Sequence, residues 1–254
     1  MTDMALFAPE KIKENFELLA QRIAAACERV GRSPDELRVI PVTKEFAPTA
    51  IEVAYANGYK QVGENKVQEL VDKYEALKQD GAYADLELIL IGHLQSNKAR
   101  FLADYVSEFH ALDSLRLAAR VNRFMAEAGR VLPVYVQVNT SLEQSKYGLP
   151  VAETLDFIDE CAAFSHLRVV GLMTLAMNSK NEEEVRQCFR TLRQLRDQAQ
   201  SKHPTVRRLS MGMSGDFEIA IEEGATDIRV GQMIFGSRDI PNELAHFWPE
   251  DRAR

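Results

Sequence analysis

SMGMSGDFEIAIEEGATDIRVGQMIFG, residues 210–236, is the stretch that decides the fold. An apolar run, VRRLSMG (206–212), ends in small residues. FEIAIEEG (217–224) follows as a short helical segment with Gly224 as its stop, and then TDIRVG (226–231) forms a second strand-length run that again ends in glycine. Strand, glycine loop, helix, strand, glycine loop is the order of a βαβ unit, which requires parallel strands.

The same alternation extends outward through the chain. Strand-like runs fall at 37–43, 59–63, 86–92, 106–112, 132–139 and 167–173, with LPVYVQVN (132–139) the clearest. Helical patterns separate them at 48–58, 66–81, 96–104, 115–129, 151–164 and 181–200. A further helix over 9–30 places Ile12, Phe16, Leu19 and Ile23 on one stripe. Eight βα units in 254 residues predict an α/β fold, a closed (β/α)8 barrel of the TIM type. The expectation is a single domain over 1–254, with the extra N-terminal helix at about 9–30 and the barrel at about 37–240. A doubly wound open sheet is the alternative. Pro41 costs the first strand a ladder hydrogen bond and is expected to mark a bulge.

Composition narrows the function classes. The chain carries 31 Lys and Arg against 38 Asp and Glu, a net charge of −7. That balance argues against global steering toward nucleic acid or an anionic membrane, while leaving room for a local anion site. Cys27, Cys161 and Cys188 are widely spaced and odd in number, so neither a disulfide framework nor a metal site is read. Their pattern suits a reducing cytoplasm. The N-terminus has no basic start followed by an apolar core, and no apolar run nears the ~18 residues of a membrane span.

In a barrel, chemistry collects at the C-terminal ends of the strands. Thr43 and Lys44 stand after strand one, Gly63-Glu64-Asn65-Lys66 after strand two, and Gly92-His93-Leu94-Gln95 after strand three. The strand interiors themselves read as Val, Ile and Leu. The loops 210–218 and 230–236 read as an anion cradle, because small residues before a helix leave backbone N–H groups free to face a phosphate. Alternatively, Ser214 or Asp216 caps a helix and the glycines only make turns. Lys44 is either a solvated lysine or, if desolvated, a free amine able to attack an aldehyde. A Schiff-base lysine facing a phosphate site is the pattern of pyridoxal phosphate proteins or of Schiff-base aldolases. Arg229, inside the last strand, would point toward the mouth, where a guanidinium only donates; the alternative is an ion pair with Asp227 or Glu222. His93 is a weaker general-base candidate, and His110, His166, His203 and His246 show no site spacing.

Taken together, VTKEF, GENKVQEL, IGHLQSNKAR, SKYGL, GLMTLA and residues 210–236 resemble the pyridoxal phosphate homeostasis proteins (the YggS/PROSC group), whose fold is similar to the N-terminal barrel of alanine racemase. The resemblance runs from about residue 10 to about 240. It implies pyridoxal 5′-phosphate (PLP) as cofactor, with Lys44 forming the covalent Schiff base. It further implies Ser214 and Gly215 in one phosphate loop, Gly231 and Gln232 in the other through backbone N–H groups, and Arg229 facing the pyridine nitrogen. Asn65 is placed near the ring, and Met173 and Met211 around the cofactor. The family commonly has a small hydroxyl residue where Gln232 stands, and an aromatic-His pair where Leu88 and Ile89 stand.

The resemblance implies a cytoplasmic binding protein that supports vitamin B6 homeostasis and amino- and keto-acid balance, with transient PLP-dependent enzymes as partners. A PLP-dependent amino-acid racemase is the alternative, and a Schiff-base aldolase a third reading. Racemisation needs proton transfer on both faces of the α-carbon. After the last strand only IFGSRDIPNELAHFWPEDRAR remains, too little for the second domain that supplies the opposite-face tyrosine in the similar racemases. No catalytic residue is therefore assigned, and a monomer is expected.

Overall fold

The computed structural model describes residues 9–78, 81–143 and 146–236. All eight predicted strands form: β1 (Arg38–Pro41), β2 (Gln61–Glu64), β3 (Glu87–Leu90), β4 (Glu108–Leu112), β5 (Leu132–Asn139), β7 (Leu167–Met173), β8 (Arg208–Ser210) and β9 (Asp227–Val230). A two-residue strand, β6 (Leu149–Pro150), adds to the end of β5. The barrel strands run parallel in the order β1-β9-β8-β7-β5-β4-β3-β2. Between β1 and β2 the join is a single bridge, Val42 to Gly63, with the Thr43 N–H donating to the Gly63 carbonyl at 3.1 Å. The result is a nearly closed (β/α)8 barrel in one domain with an added N-terminal helix. The predicted barrel end at 237–240 lies outside the described residues.

Pro41 does not mark a bulge. The β1–β9 register runs unbroken from Arg38↔Asp227 to Pro41↔Val230. The Val42 N–H faces β9 and the Thr43 N–H faces β2. By alternation, the donor that proline lacks would have faced β2. The missing hydrogen bond therefore falls at the weak seam and leaves the β1–β9 ladder whole.

Helices flank the strands: α1 (Pro9–Arg29), α2 (Thr49–Ala56), α3 (Val67–Leu77), α4 (Arg100–Tyr105), α5 (Leu115–Glu127), α6 (Thr154–Cys161), α7 (Glu182–Lys202), α8 (Phe217–Glu222) and α9 (Gln232–Phe235). α5 shows how sequence sets these elements. The Ser114 hydroxyl accepts the Leu117 N–H at its start, and Leu117, Ala118, Val121 and Met125 form one buried stripe. Each large apolar side chain so covered is worth about 1.5–3 kcal/mol. Val134, Tyr135 and Val136 are all buried, as expected of a parallel strand with both faces covered. None of the described helices is long and apolar enough to cross a membrane.

α1 packs against α8 and α9, the helices that follow the last two strands. Its stripe of Ile12, Phe16, Leu19 and Ile23 is buried. The Asn15 amide donates to the Ile234 carbonyl at 2.7 Å, and Arg22 pairs with Glu218 at 3.0 Å. Just beyond α1, Arg32 donates to the Ile221 and Ala225 carbonyls, both at 2.8 Å, and so ties down the C-terminal end of α8.

The interior departs from the apolar expectation. At the N-terminal end of the strands, Arg38 reaches Asp227 at 2.5 Å, Glu108 at 2.7 Å and the Tyr135 hydroxyl at 3.0 Å. Burial opposes ionisation of Glu108, but hydrogen bonds from His110 and Arg38 outweigh it and hold that carboxyl at about 2. His110 is fully buried, which lowers its pKa; it joins Glu108 and the Ser210 hydroxyl, each at 3.0 Å. The members of this cluster come from five strands, so no local pattern announces them.

Candidate functional site at the barrel mouth

Lys44 stands on the turn after β1, half-buried. The Phe46 N–H closes this turn on the Thr43 carbonyl at 3.1 Å, and Glu45 takes the left-handed conformation at φ +65°. No described residue hydrogen-bonds or pairs with the Lys44 amine. The β1–β9 register, with the Val42 N–H on the Val230 carbonyl at 2.9 Å, brings this turn to the same edge as the loop that begins at Gly231.

Beneath the turn lies a polar cluster that motif reading overlooked. The Lys73 ammonium donates to the Thr43 carbonyl at 2.6 Å, to Glu64 at 2.8 Å and to Glu69 at 2.7 Å. The Thr43 hydroxyl donates to the same Glu64 oxygen at 2.5 Å, and the Glu45 N–H donates to Glu69. Glu64 is fully buried and its second oxygen has no partner. Burial, partly offset by Lys73, pushes its carboxyl up to about 7. The signal was present in GENKVQEL and the residues after it, where Glu69 and Lys73 stand one helical turn apart.

The two glycine loops are joined. The Ser214 hydroxyl accepts the Met233 N–H at 3.2 Å, so the loop after β8 caps the first turn after β9. Asp216 accepts the Met213 N–H at 2.6 Å and closes its own loop; burial raises its carboxyl pKa. The N–H groups of Ser214, Gly215 and Gln232 make no hydrogen bond to a described residue. A Cβ on Gly215 would meet nothing within 4 Å, so that loop tip is open to a ligand. Gly231 is constrained instead: a Cβ there would come within 2.9 Å of the Val42 carbonyl.

Arg229 is 3% exposed and donates to the Ser210 hydroxyl at 2.7 Å and the Thr174 carbonyl at 2.8 Å. No described carboxylate lies within ion-pair distance of it. The two candidates are taken: Asp227 by Arg38, and Glu222 by Arg29 and Arg186, each at 2.7 Å. Burial lowers the Arg229 pKa to about 10, so the guanidinium stays charged at neutral pH. Asp216 and Asp227 act on it only from beyond ion-pair distance; a buried cation with no carboxylate in contact costs free energy, and an anionic or electron-rich ligand relieves that cost.

The remaining predicted residues are placed differently. Met173 and Met211 are 1% and 0% exposed, within the core. Asn65 is exposed and abuts Gly92, where a Cβ would fall 2.1 Å from the Asn65 carbonyl. Asn65 lines a separate cavity of about 430 Å³ with Gly92, His93, Lys98, Gln137 and Tyr147; neither Lys44 nor the glycine loops line it. There His93 lies 3.4 Å from Asp113 and stacks on Tyr147 at 4.1 Å. The structure thus groups Ser214, Gly215, Gly231 and Gln232 with Arg229 and the Lys44 turn at the β8–β9–β1 side, and sets Asn65 on the β2–β3 side. Free N–H donors, a buried guanidinium and an unpaired amine are a donor set that fits a phosphorylated aldehyde.

Residues 10–239 match the family model described as alanine racemase, N-terminal domain. A pyridoxal phosphate homeostasis protein from Aquifex aeolicus is 39% identical over 226 residues, covering 89% of this chain and 97% of that one. The protein of the same name from Escherichia coli is 39% identical over 231 residues, covering 90% and 97%. PipY of Synechococcus elongatus, solved with PLP bound, superposes with a TM-score of 0.75 at 35% identity, covering 85% of this chain and 99% of that one. The chain belongs to the alanine racemase N-terminal domain family and, within it, to the pyridoxal phosphate homeostasis proteins.

Proposed function

We propose that this protein binds pyridoxal 5′-phosphate at the barrel mouth and serves intracellular vitamin B6 homeostasis and amino- and keto-acid balance. The observation that carries this is Arg229, a buried cation with no described carboxylate at ion-pair distance, set beside two joined loops with free N–H groups. PLP contributes an aldehyde: the Lys44 amine adds to its carbon, water leaves, and a C=N bond holds the cofactor. Ser214, Gly215, Gly231 and Gln232 present donors to the phosphate. Arg229 donates toward the pyridine nitrogen and keeps it unprotonated, which weakens the ring as an electron sink and favours holding over turnover. Met173 and Met211 support the site from the core beneath it, and Asn65 stands on the β2–β3 side of the mouth, away from Lys44 and the glycine loops. The PLP-bound PipY supports this assignment.

The proposal extends to a cytoplasmic monomer that passes the cofactor to PLP-dependent enzymes. The three cysteines, all buried free thiols, suit a reducing compartment. The test is the visible absorbance of the protein with added PLP, followed by borohydride reduction and peptide mass analysis. Wild type should gain a reducible chromophore whose mass increment maps to Lys44, and Lys44→Ala should gain none. Absence of a reducible adduct in wild type overturns the proposal. The His93–Asp113 pair stacked on Tyr147 favours a racemase as second reading; sustained conversion of L- to D-amino acids, abolished by His93→Ala, would establish it.

A further inference from the structure

We infer that Lys73 is a positioning residue for Lys44, a role that rests on the cofactor reading above. Every proton of the Lys73 ammonium is used: one on the Thr43 carbonyl, one on Glu64 and one on Glu69. These contacts grip both peptide groups that flank Lys44. On one side, Lys73 holds the Thr43 carbonyl while Glu64 takes the Thr43 hydroxyl. On the other side, Glu69 accepts the Glu45 N–H, and Glu45 is held at φ +65°. A non-glycine residue in that region is strained and persists only where its surroundings hold it. The cluster is therefore what fixes the direction in which the Lys44 side chain leaves the turn.

Stability alone does not explain the arrangement. Lys73 is 6% exposed at its side chain and Glu64 0%. A buried ion pair of this kind is often matched or surpassed by apolar side chains of the same volume. Glu64 also leaves one oxygen unpartnered, a cost a purely structural cluster would avoid. What the charged groups add is directional hold on the backbone around one amine, and pre-organisation is where such hold shows in binding.

The test compares two ligands that share the phosphate and ring. Pyridoxal 5′-phosphate condenses with Lys44; pyridoxamine 5′-phosphate, an amine, does not. Lys73→Met keeps the apolar stem and removes the donors. Lys73→Met should weaken PLP binding by about tenfold or more while leaving pyridoxamine 5′-phosphate within about twofold of wild type. The borohydride-trapped fraction at Lys44 should fall in parallel. Should Lys73→Met not fold, Glu69→Ala, at a side chain that is 20% exposed, releases the Glu45 N–H and one Lys73 proton while leaving the Thr43 and Glu64 contacts of Lys73 in place, and should show the same split between ligands. Wild-type PLP affinity in both variants overturns the inference, as does equal loss of both ligands, which marks a structural role only. A wild type that traps no adduct instead overturns the cofactor reading, and the inference falls with it.

Discussion

Replacing Glu64 by glutamine should change the pH dependence of stability in a defined direction. Glu64 is 0% exposed, and burial, only partly offset by Lys73, raises its carboxyl from 4.5 to about 7. Between those values the unfolded chain carries an ionised carboxylate while the folded protein holds the proton. The folded state thus binds more protons, and stability falls as pH rises. The contribution is fully present below about pH 4.5 and is lost once the pH has passed about 7. At 1.36 kcal/mol per pKa step, the span is on the order of 3 kcal/mol. Glutamine cannot titrate and lacks this component. Urea unfolding followed by circular dichroism, without added cofactor, gives both stabilities from about pH 4.5 to 8. The wild-type-minus-variant difference should shift by roughly 3 kcal/mol in favour of Glu64→Gln across that range. A difference that stays within about 0.5 kcal/mol throughout would refute the raised pKa of the buried Glu64 carboxyl.

Arg229→Met removes a buried cation that has no carboxylate within reach, so thermal stability should hold or rise while PLP binding weakens by about tenfold or more; calorimetry and absorbance titration read the two effects separately. Gly212→Ala should cost about 1–3 kcal/mol in urea unfolding, because φ is +95° and the new methyl would lie 2.7 Å from the Ala220 Cβ. For Glu108 the sign is opposite to that of Glu64. Burial opposes its charge, but His110 and Arg38 hold the carboxyl at about 2, so its contribution is present above 4.5 and lost as pH falls through 2. Glu108→Gln should therefore flatten the acid side of the stability curve below about pH 4.5, measured by the same unfolding series.

The strands and helices were legible because each depends on neighbours in sequence. Val134 to Val138 read as a buried strand and Leu117 to Met125 as an amphipathic helix without knowledge of the rest. The glycine loops were legible too, since Gly212, Gly215 and Gly231 sit at fixed offsets from strand ends. What stayed hidden depends on residues that meet only after closure. His110 carried no local hint of Ser210, which is distant in sequence and 3.0 Å away in space. Pro41 suggests a bulge in the sequence alone, because the side of the strand that its missing donor would face is set by which neighbours β1 takes. Glu64, Glu69 and Lys73 lie within or just after GENKVQEL and look like ordinary surface charges in the sequence, because burial, not residue type, turns them into a cluster. Asn65 shows the reverse: it lies in the same motif, yet lines a cavity that Lys44 does not.

The single bridge between β1 and β2 gives the barrel a preferred place to breathe. Six strand junctions register at two or more residue pairs; β8–β9 registers at Ser210 and Asp227, with further hydrogen bonds from Met211 and Arg229, while this one is the bridge Val42 to Gly63 with the hydrogen bond from Thr43. Local opening draws on the least-bonded backbone first, so the amides of Thr43 and its surroundings should exchange with solvent before those of β5 or β7. A molecule covalently held by Lys44 and non-covalently by the Gly231 loop would fasten this side of the ring. Slowed exchange at Thr43 would then report occupancy from the backbone, with no chromophore required.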